Sequence, residues 1–119
     1  MTEIQNSKQY DLEERTLKFA RDINAYVNKL PRTVSNVETG KQLVRAGGSI
    51  GANYIEANES LSKKDFMMRI KISRKEAKES RYWLELTDPE AAEVTNKHRL
   101  TQETVELTKI FSSILEKSK

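Results

Sequence analysis

Residues 34–58 read VSNVETGKQLVRAGGSIGANYIEAN, and this stretch holds all four glycines of the chain, Gly40, Gly47, Gly48 and Gly51, without a proline. Its apolar residues recur with helical period, so the glycines stand inside a helix. Each costs roughly 1 kcal/mol relative to alanine in a helix interior, and four cost about 4 kcal/mol that only tertiary packing can offset. The gain available is close backbone approach by a neighbouring helix, because a one-hydrogen side chain lets two axes come together. The segment therefore predicts a tight helical bundle.

The circumference of this helix divides into three parts. Val37, Gly40, Val44, Gly47, Gly51 and Ile55 form a thin face, and Leu43, Ala46, Ile50, Tyr54 and Ala57 an adjoining apolar face, so most of the surface is expected to be buried. A polar strip remains, with Arg45, Ser49, Asn53 and Glu56 at successive turns, each within reach of the next. Such a strip serves either as a hydrogen-bonded seam registering helices or subunits, or as a ligand or partner site. The seam is favoured because buried polar side chains need partners.

Thr33 or Ser35 can cap this helix, and Asn58 ends it before a short loop, Glu59 to Ser62, that makes the next helix an antiparallel neighbour. Ser62 with Asp65 gives a capping pattern for a third helix to about Leu86, broken by Asp88-Pro89. Upstream, Asp11 and Glu14 have capping spacing, and Leu12, Phe19, Ile23, Val27 and Leu30 supply an apolar face ended by Pro31. Residues 1–10 are expected as a flexible or extended segment. Glu90 to Arg99 is polar and reads as a connection with at most a helical turn, and a last helix is placed from Leu100 or Thr101 to about Lys117. The expected architecture is all-α, an up-down-up-down antiparallel four-helix bundle in one domain spanning residues 1–119.

The third helix carries the most informative surface. Phe66, Ile70, Ser73, Ala77, Ser80 and Leu84 share its bundle-facing side. Met68, Ile72, Glu76, Glu79 and Trp83 make a second stripe containing the only tryptophan, which reads either as a contact between subunits or as the edge of a broad core face. Lys63, Lys64, Lys71, Arg74, Lys75, Lys78 and Arg81 fall within about 120° of one another. The net charge of the chain is only +3, yet residues 63–81 hold eight basic and three acidic residues. This arc can track phosphates, or it is the solvated side of an amphipathic helix. Tyr82 alone interleaves it, which argues against base stacking along single strands.

Composition narrows the chemistry. With 36% hydrophobic and 33% charged residues and no cysteine, disulfides and thiolate metal sites are excluded. Residues 1–10 lack the apolar run of a signal peptide, and no stretch reaches the ~18 apolar residues of a membrane span, so a cytoplasmic protein without membrane partners is expected. Gly47-Gly48-Ser49-Ile50-Gly51 lacks both the P-loop lysine and the dinucleotide spacing. His98 is the sole histidine, in a polar segment. The pairs Glu56/Glu59 and Glu76/Glu79 share helix faces but have no Glu-x-x-His companion for a di-iron centre, and they read as salt-bridge partners of Arg45, Arg74 and Arg81. No catalytic, metal or cofactor site is expected, and the chain reads as a non-enzyme.

The run Arg45-Ala46-Gly47-Gly48-Ser49-Ile50-Gly51-Ala52-Asn53-Tyr54-Ile55-Glu56-Ala57, followed by Asp65-Phe66, Glu76-Ala77-Lys78-Glu79 and Tyr82-Trp83-Leu84, resembles small bacterial four-helix-bundle proteins linked to intervening sequences of large-subunit ribosomal RNA. Position by position, Arg45, Ser49, Asn53, Glu56, Asp65, Glu79, Tyr82 and Trp83 match the pattern. Asn58 stands where the common form has glycine. The resemblance implies a ring-shaped homo-oligomer, a homopentamer, related to basic accessory subunits of retroelement reverse transcriptases, and it transfers no catalytic residue. Members are often called ribosomal proteins, a label that looks like it reflects gene location. The reading that follows is a non-enzymatic oligomeric bundle presenting basic surface to RNA or a nucleic-acid-bound partner. The alternative is a protein–protein interaction module without direct nucleic-acid binding, and a small-molecule or nucleotide hydrolase is the third class.

Overall fold

The computed structural model describes the backbone of residues 2–119 and the side chains from Asp11 onward. Four helices follow one another, α1 (Thr2–Asn28), α2 (Val34–Asn58), α3 (Lys63–Leu86) and α4 (Val94–Lys117), with a 3-10 turn at Ala91–Glu93. The described residues form no strand. Short connections turn the chain back on itself each time, giving the antiparallel bundle expected from the sequence, with α2 packed on both α1 and α3, and α3 on α4. Its long dimension, 47 Å, is that of helices of about 36–40 Å lying along the bundle axis with the turns beyond their ends.

The glycines explain why α1 lies where it does. A methyl placed on Gly40 would stand 2.9 Å from Val27 Cγ1, and one on Gly51 would stand 2.8 Å from Thr16 Oγ1 and 3.1 Å from its Cβ. At Gly47 the nearest atoms are those of Ile23, at 3.4 Å. No described residue has a positive φ, so these glycines supply space and not an unusual torsion. Gly48 differs: nothing lies within 4 Å of the position its Cβ would take.

Leu43, Ala46, Ile50, Tyr54 and Ala57 are buried as expected, and so are Ile70, Ser73, Ala77, Ser80 and Leu84 on α3. The thin face of α2 is less covered than its pattern predicts, for Val44 and Ile55 remain 39% and 49% exposed. Periodicity marks an apolar edge but cannot say whether this chain covers it; α1 takes the glycine edge and stops short of Val44 and Ile55. Small residues pay off again between α2 and α3, where buried Ser73 donates to the Ile50 carbonyl at 2.9 Å.

Two expected helix starts shift. Thr33 and Ser62 do cap α2 and α3, each hydroxyl accepting the amide three residues on, at 3.1 Å. Asp11, by contrast, lies inside α1 and caps nothing. The expectation of a flexible or extended segment over residues 1–10 is corrected from Thr2 onward, where the backbone already belongs to α1; Met1 lies outside the described residues. The last helix begins at Val94, not Leu100. Its first turns are polar because they bond to neighbouring polar groups and not to an apolar core: Lys97 Nζ donates to the Thr87 carbonyl at 2.8 Å, and Asn96 Nδ2 to the Glu93 carboxylate oxygen Oε1 at 3.1 Å.

One end of the bundle is closed by polar groups. Asn36 is 3% exposed, and its amide donates to the carbonyls of Pro31 and Asp88 while its oxygen accepts the Asp88 amide. A single side chain thus ties the α1–α2 turn to the α3–α4 turn. Beside it the Tyr26 hydroxyl and Thr87 Oγ1 share a hydrogen bond of 2.7 Å. No buried side-chain polar atom among the described residues lacks a partner.

Among the described residues the α1–α4 seam is the loosest between neighbouring helices, and long charged side chains span it. Arg15 grips Glu103 through two bonds of 2.7 and 2.8 Å, and Arg99 reaches Asp22 at 3.4 Å. Burial resists ionisation of Asp22, yet Lys18 and Arg99 together hold its carboxyl below the ordinary range.

Alanine scanning of the glycines separates the two effects. Gly51→Ala is expected to lower the unfolding free energy by about 1–2 kcal/mol, because crowding against the stiff Thr16 outweighs the gain in helix propensity. Gly47→Ala, with only ordinary contact distances to meet, is expected to unfold at the same or higher urea concentration than the unsubstituted protein.

Candidate nucleic-acid and subunit interface

The basic residues of α3 emerge on one side because the buried line Ile70–Ser73–Ala77–Ser80–Leu84 fixes the rotation of the helix. Lys63, Lys64, Lys71, Lys75, Lys78 and Arg81 are exposed. Arg74 is half-buried, its Nη1 donating to Ser112 Oγ on α4 at 3.3 Å, so it serves α3–α4 packing as well as the arc. Lys75 stands 3.9 Å from Glu76, and Arg81 pairs with Glu85 at 3.4 Å. Lys63, Lys64, Lys71 and Lys78 have no acidic group within 4 Å among the described residues. Their charge is therefore uncompensated locally, and their potentials add along one side of a rigid rod.

The second stripe of α3 borders this arc. Met68 is 51% exposed and Glu79 is exposed, whereas Ile72, Glu76 and Trp83 are half-buried. Trp83 packs against the core and meets the Tyr82 ring edge-on at 5.0 Å between centroids. The stripe is thus the edge of a broad core face, as one of its sequence readings has it, with Met68 and Glu79 standing open on it.

The polar strip of α2 lies alongside this stripe, in the groove between α2 and α3. Arg45 and Glu56 are exposed, and Ser49 and Asn53 half-buried. Asn53 Nδ2 donates to the Ser49 carbonyl at 2.9 Å, and its oxygen accepts from Arg69 Nη1 at 3.0 Å. The link across to α3 is therefore Arg69, a residue the sequence reading passed over although it falls one turn from both Asp65 and Ile72. The Glu pairs do not take the arginine partners expected of them: Arg81 chooses Glu85, and Arg74 chooses a serine. Burial, followed by the like charge of Glu79, pushes the Glu76 carboxyl above the usual range, and Lys75 and Arg45 offset this only in part. His98 is exposed on α4.

The family model described as 23S rRNA-intervening sequence protein matches residues 8–113. The chain belongs to this family. A crystal structure of a protein with unknown function from the S23 ribosomal protein family, from Bacteroides thetaiotaomicron, superposes with a TM-score of 0.74 at 32% identity, covering 92% of this chain and 98% of that one. No curated protein matches the chain. Membership of the 23S rRNA-intervening sequence family agrees with the resemblance carried by the Arg45–Ala57 run and with the bundle architecture. No helix of the described residues is long and apolar enough to cross a membrane.

Glu76 provides a pH test of the groove. Its folded-state pKa is raised, so the native state holds its proton more tightly than the unfolded chain, and stability falls as pH rises through the window between the two values. Glu76→Gln is expected to stabilise the protein at pH 7, with the advantage shrinking as the pH is taken below the ordinary carboxylate range; chemical denaturation at a series of pH values measures it.

Proposed function

We propose that the protein is a non-enzymatic helical bundle that assembles as a homo-oligomer and binds structured RNA through the basic side of α3. The observation that carries the reading is the set of exposed lysines, Lys63, Lys64, Lys71 and Lys78, left without acidic partners on one helix. Elsewhere Arg15, Lys18, Lys29, Lys41, Arg99, Lys109 and Lys119 stand within 4 Å of a carboxylate, and the exposed cations among the described residues that do not, Arg21, Arg32, Arg45 and Lys117, are scattered over three helices and a turn instead of gathered on one helix side. Backbone phosphates supply the anions that the arc lacks, and a duplex or structured RNA presents them at regular spacing along a helix-sized surface. The scarcity of aromatic residues in the arc fits recognition by backbone and shape better than by stacked bases. The family's link to rRNA intervening sequences is consistent with an RNA partner, and ring assembly is what the Arg45–Ala57 resemblance implies.

Binding to a structured RNA is expected to weaken linearly in log affinity against log salt, and Lys71→Glu with Lys78→Glu to weaken it by at least tenfold at low salt while making that slope shallower. Fluorescence anisotropy across a salt series measures both. Equal affinity of the double variant, or no binding at low salt, contradicts the proposal, and capture of a protein partner that survives nuclease treatment replaces it with a protein-interaction role.

A further inference from the structure

One end of the basic arc differs in character from the rest. Lys64, Met67, Met68 and Lys71 stand at i, i+3, i+4 and i+7, the spacing of a single ridge along a helix, and with Lys63 they line a hollow of about 470 Å³. Its floor is two thioethers: Met67 is half-buried and packs on the core, while Met68 is 51% exposed. Its rim is three exposed lysines. The carboxylates at this end of the bundle leave that rim alone. Among the described residues none of Glu56, Glu59, Asp65 and Glu116 stands within 4 Å of Lys63, Lys64 or Lys71. Asp65 lies about 100° round α3 from Lys64, toward the side where Arg69 bonds Asn53 of α2, and Glu116 is held by Lys119 at 2.9 Å. Exposed Lys117, at the end of α4, adds a further cation.

We infer, on the RNA-binding reading above, that this hollow takes the base of a single unpaired nucleotide turned out of a structured RNA, while Lys63, Lys64 and Lys71 hold the phosphates on either side of it. An apolar floor inside a cationic rim complements a flat ring with fixed negative charges at its margin, and in RNA that is a nucleotide outside its helix. Methionine suits the floor because its unbranched, polarisable side chain adapts to a ring and makes favourable sulfur–aromatic contacts. Lys64 and Lys71 are about 10 Å apart along the helix axis, so their flexible stems reach the RNA backbone from two sides. Farther along α3, Lys78 meets the phosphates of the adjoining duplex, and the helix as a whole reads a junction between paired and unpaired RNA. A thioether donates no hydrogen bond and accepts one only weakly, so selection is for the presence of a base and not for its identity. Met68 is the member of the second stripe nearest the lysines; Ile72 and Trp83 lie farther round α3 and remain for contacts between copies.

Fluorescence anisotropy with three RNA hairpins of one sequence tests this: fully paired, with a single-nucleotide bulge, and with the bulged nucleotide made abasic. The abasic hairpin keeps the phosphates and flexibility of the bulge and lacks only the ring. The bulged hairpin is expected to bind roughly three- to tenfold tighter than the paired one, whichever base is bulged, and the abasic hairpin to fall back to the paired value. Met68→Ala is expected to erase the difference while leaving the affinity for the paired hairpin and its salt slope unchanged, since no charge is removed. Met68→Phe, which restores a surface for the ring, is expected to keep it. Met68 is no part of the core, so circular dichroism is expected to show both variants fully helical. Equal affinity for the three hairpins, or a preference that Met68→Ala leaves intact, overturns this assignment and leaves RNA binding by the arc standing. Failure of all three to bind at low salt overturns the RNA reading and the inference with it. Binding to phosphatidylserine vesicles that is tighter than to any hairpin and is lost in Met68→Ala overturns it in favour of a lipid surface.

Discussion

The distance between α1 and α2 is set by atoms that are missing. Where Gly40 and Gly51 face Val27 and Thr16, a methyl group would stand inside 3 Å of a side-chain atom, so the two helices sit at a separation that any larger residue would crowd. Everything else in the bundle adjusts to that approach. With α1 drawn against one edge of α2, the opposite edge is free for α3, which comes close in turn through Ala46, Ala57, Ser73 and Ala77. Once the α1–α2 and α2–α3 separations are short, α4 follows α3 and the remaining gap falls between α1 and α4. That gap is bridged by a bidentate arginine and a shared aspartate, exposed pairs that contribute little each and weaken with salt. Packing therefore holds the bundle, and electrostatics closes its one wide seam.

The ends obey a different rule. Turns expose backbone carbonyls and amides that need partners when they are covered, and buried Asn36 supplies three bonds at once to the α1–α2 and α3–α4 connections. The Tyr26–Thr87 bond lies beside it, so the end of α1, the start of α2 and the end of α3 are tied together by side chains.

Much of this was legible in the residues themselves. Glycines confined to one helix announced a close neighbour, the hydroxyls of Thr33 and Ser62 announced two helix starts, and the 3.6-residue period of Ile70 to Leu84 fixed which side of α3 faces inward. Three things were not. The start of α4 was hidden because Asn96 and Lys97 are anchored by hydrogen bonds to Glu93 and to the end of α3, which leave no hydrophobic period. The exposure of Val44 and Ile55 was hidden because an apolar edge looks alike in sequence whether its cover is in the same chain or another. The role of Arg69 was hidden because a charged residue at the boundary between two faces has no period of its own; only the position of Asn53 across the groove assigns it.

The two surfaces of α3 divide the proposed work. In the proposed assembly Ile72 and Trp83 of its apolar stripe serve contacts between protein copies, while the lysines beyond the stripe are left open without carboxylate partners. Acylation footprinting of lysine side chains, with and without bound structured RNA, reads this division residue by residue. Loss of reactivity at Lys63, Lys71 and Lys78, with Lys41 and Lys109 unchanged, is the expected result. Uniform protection of all lysines, or protection centred on α1, α2 or α4, contradicts the assignment of RNA binding to α3.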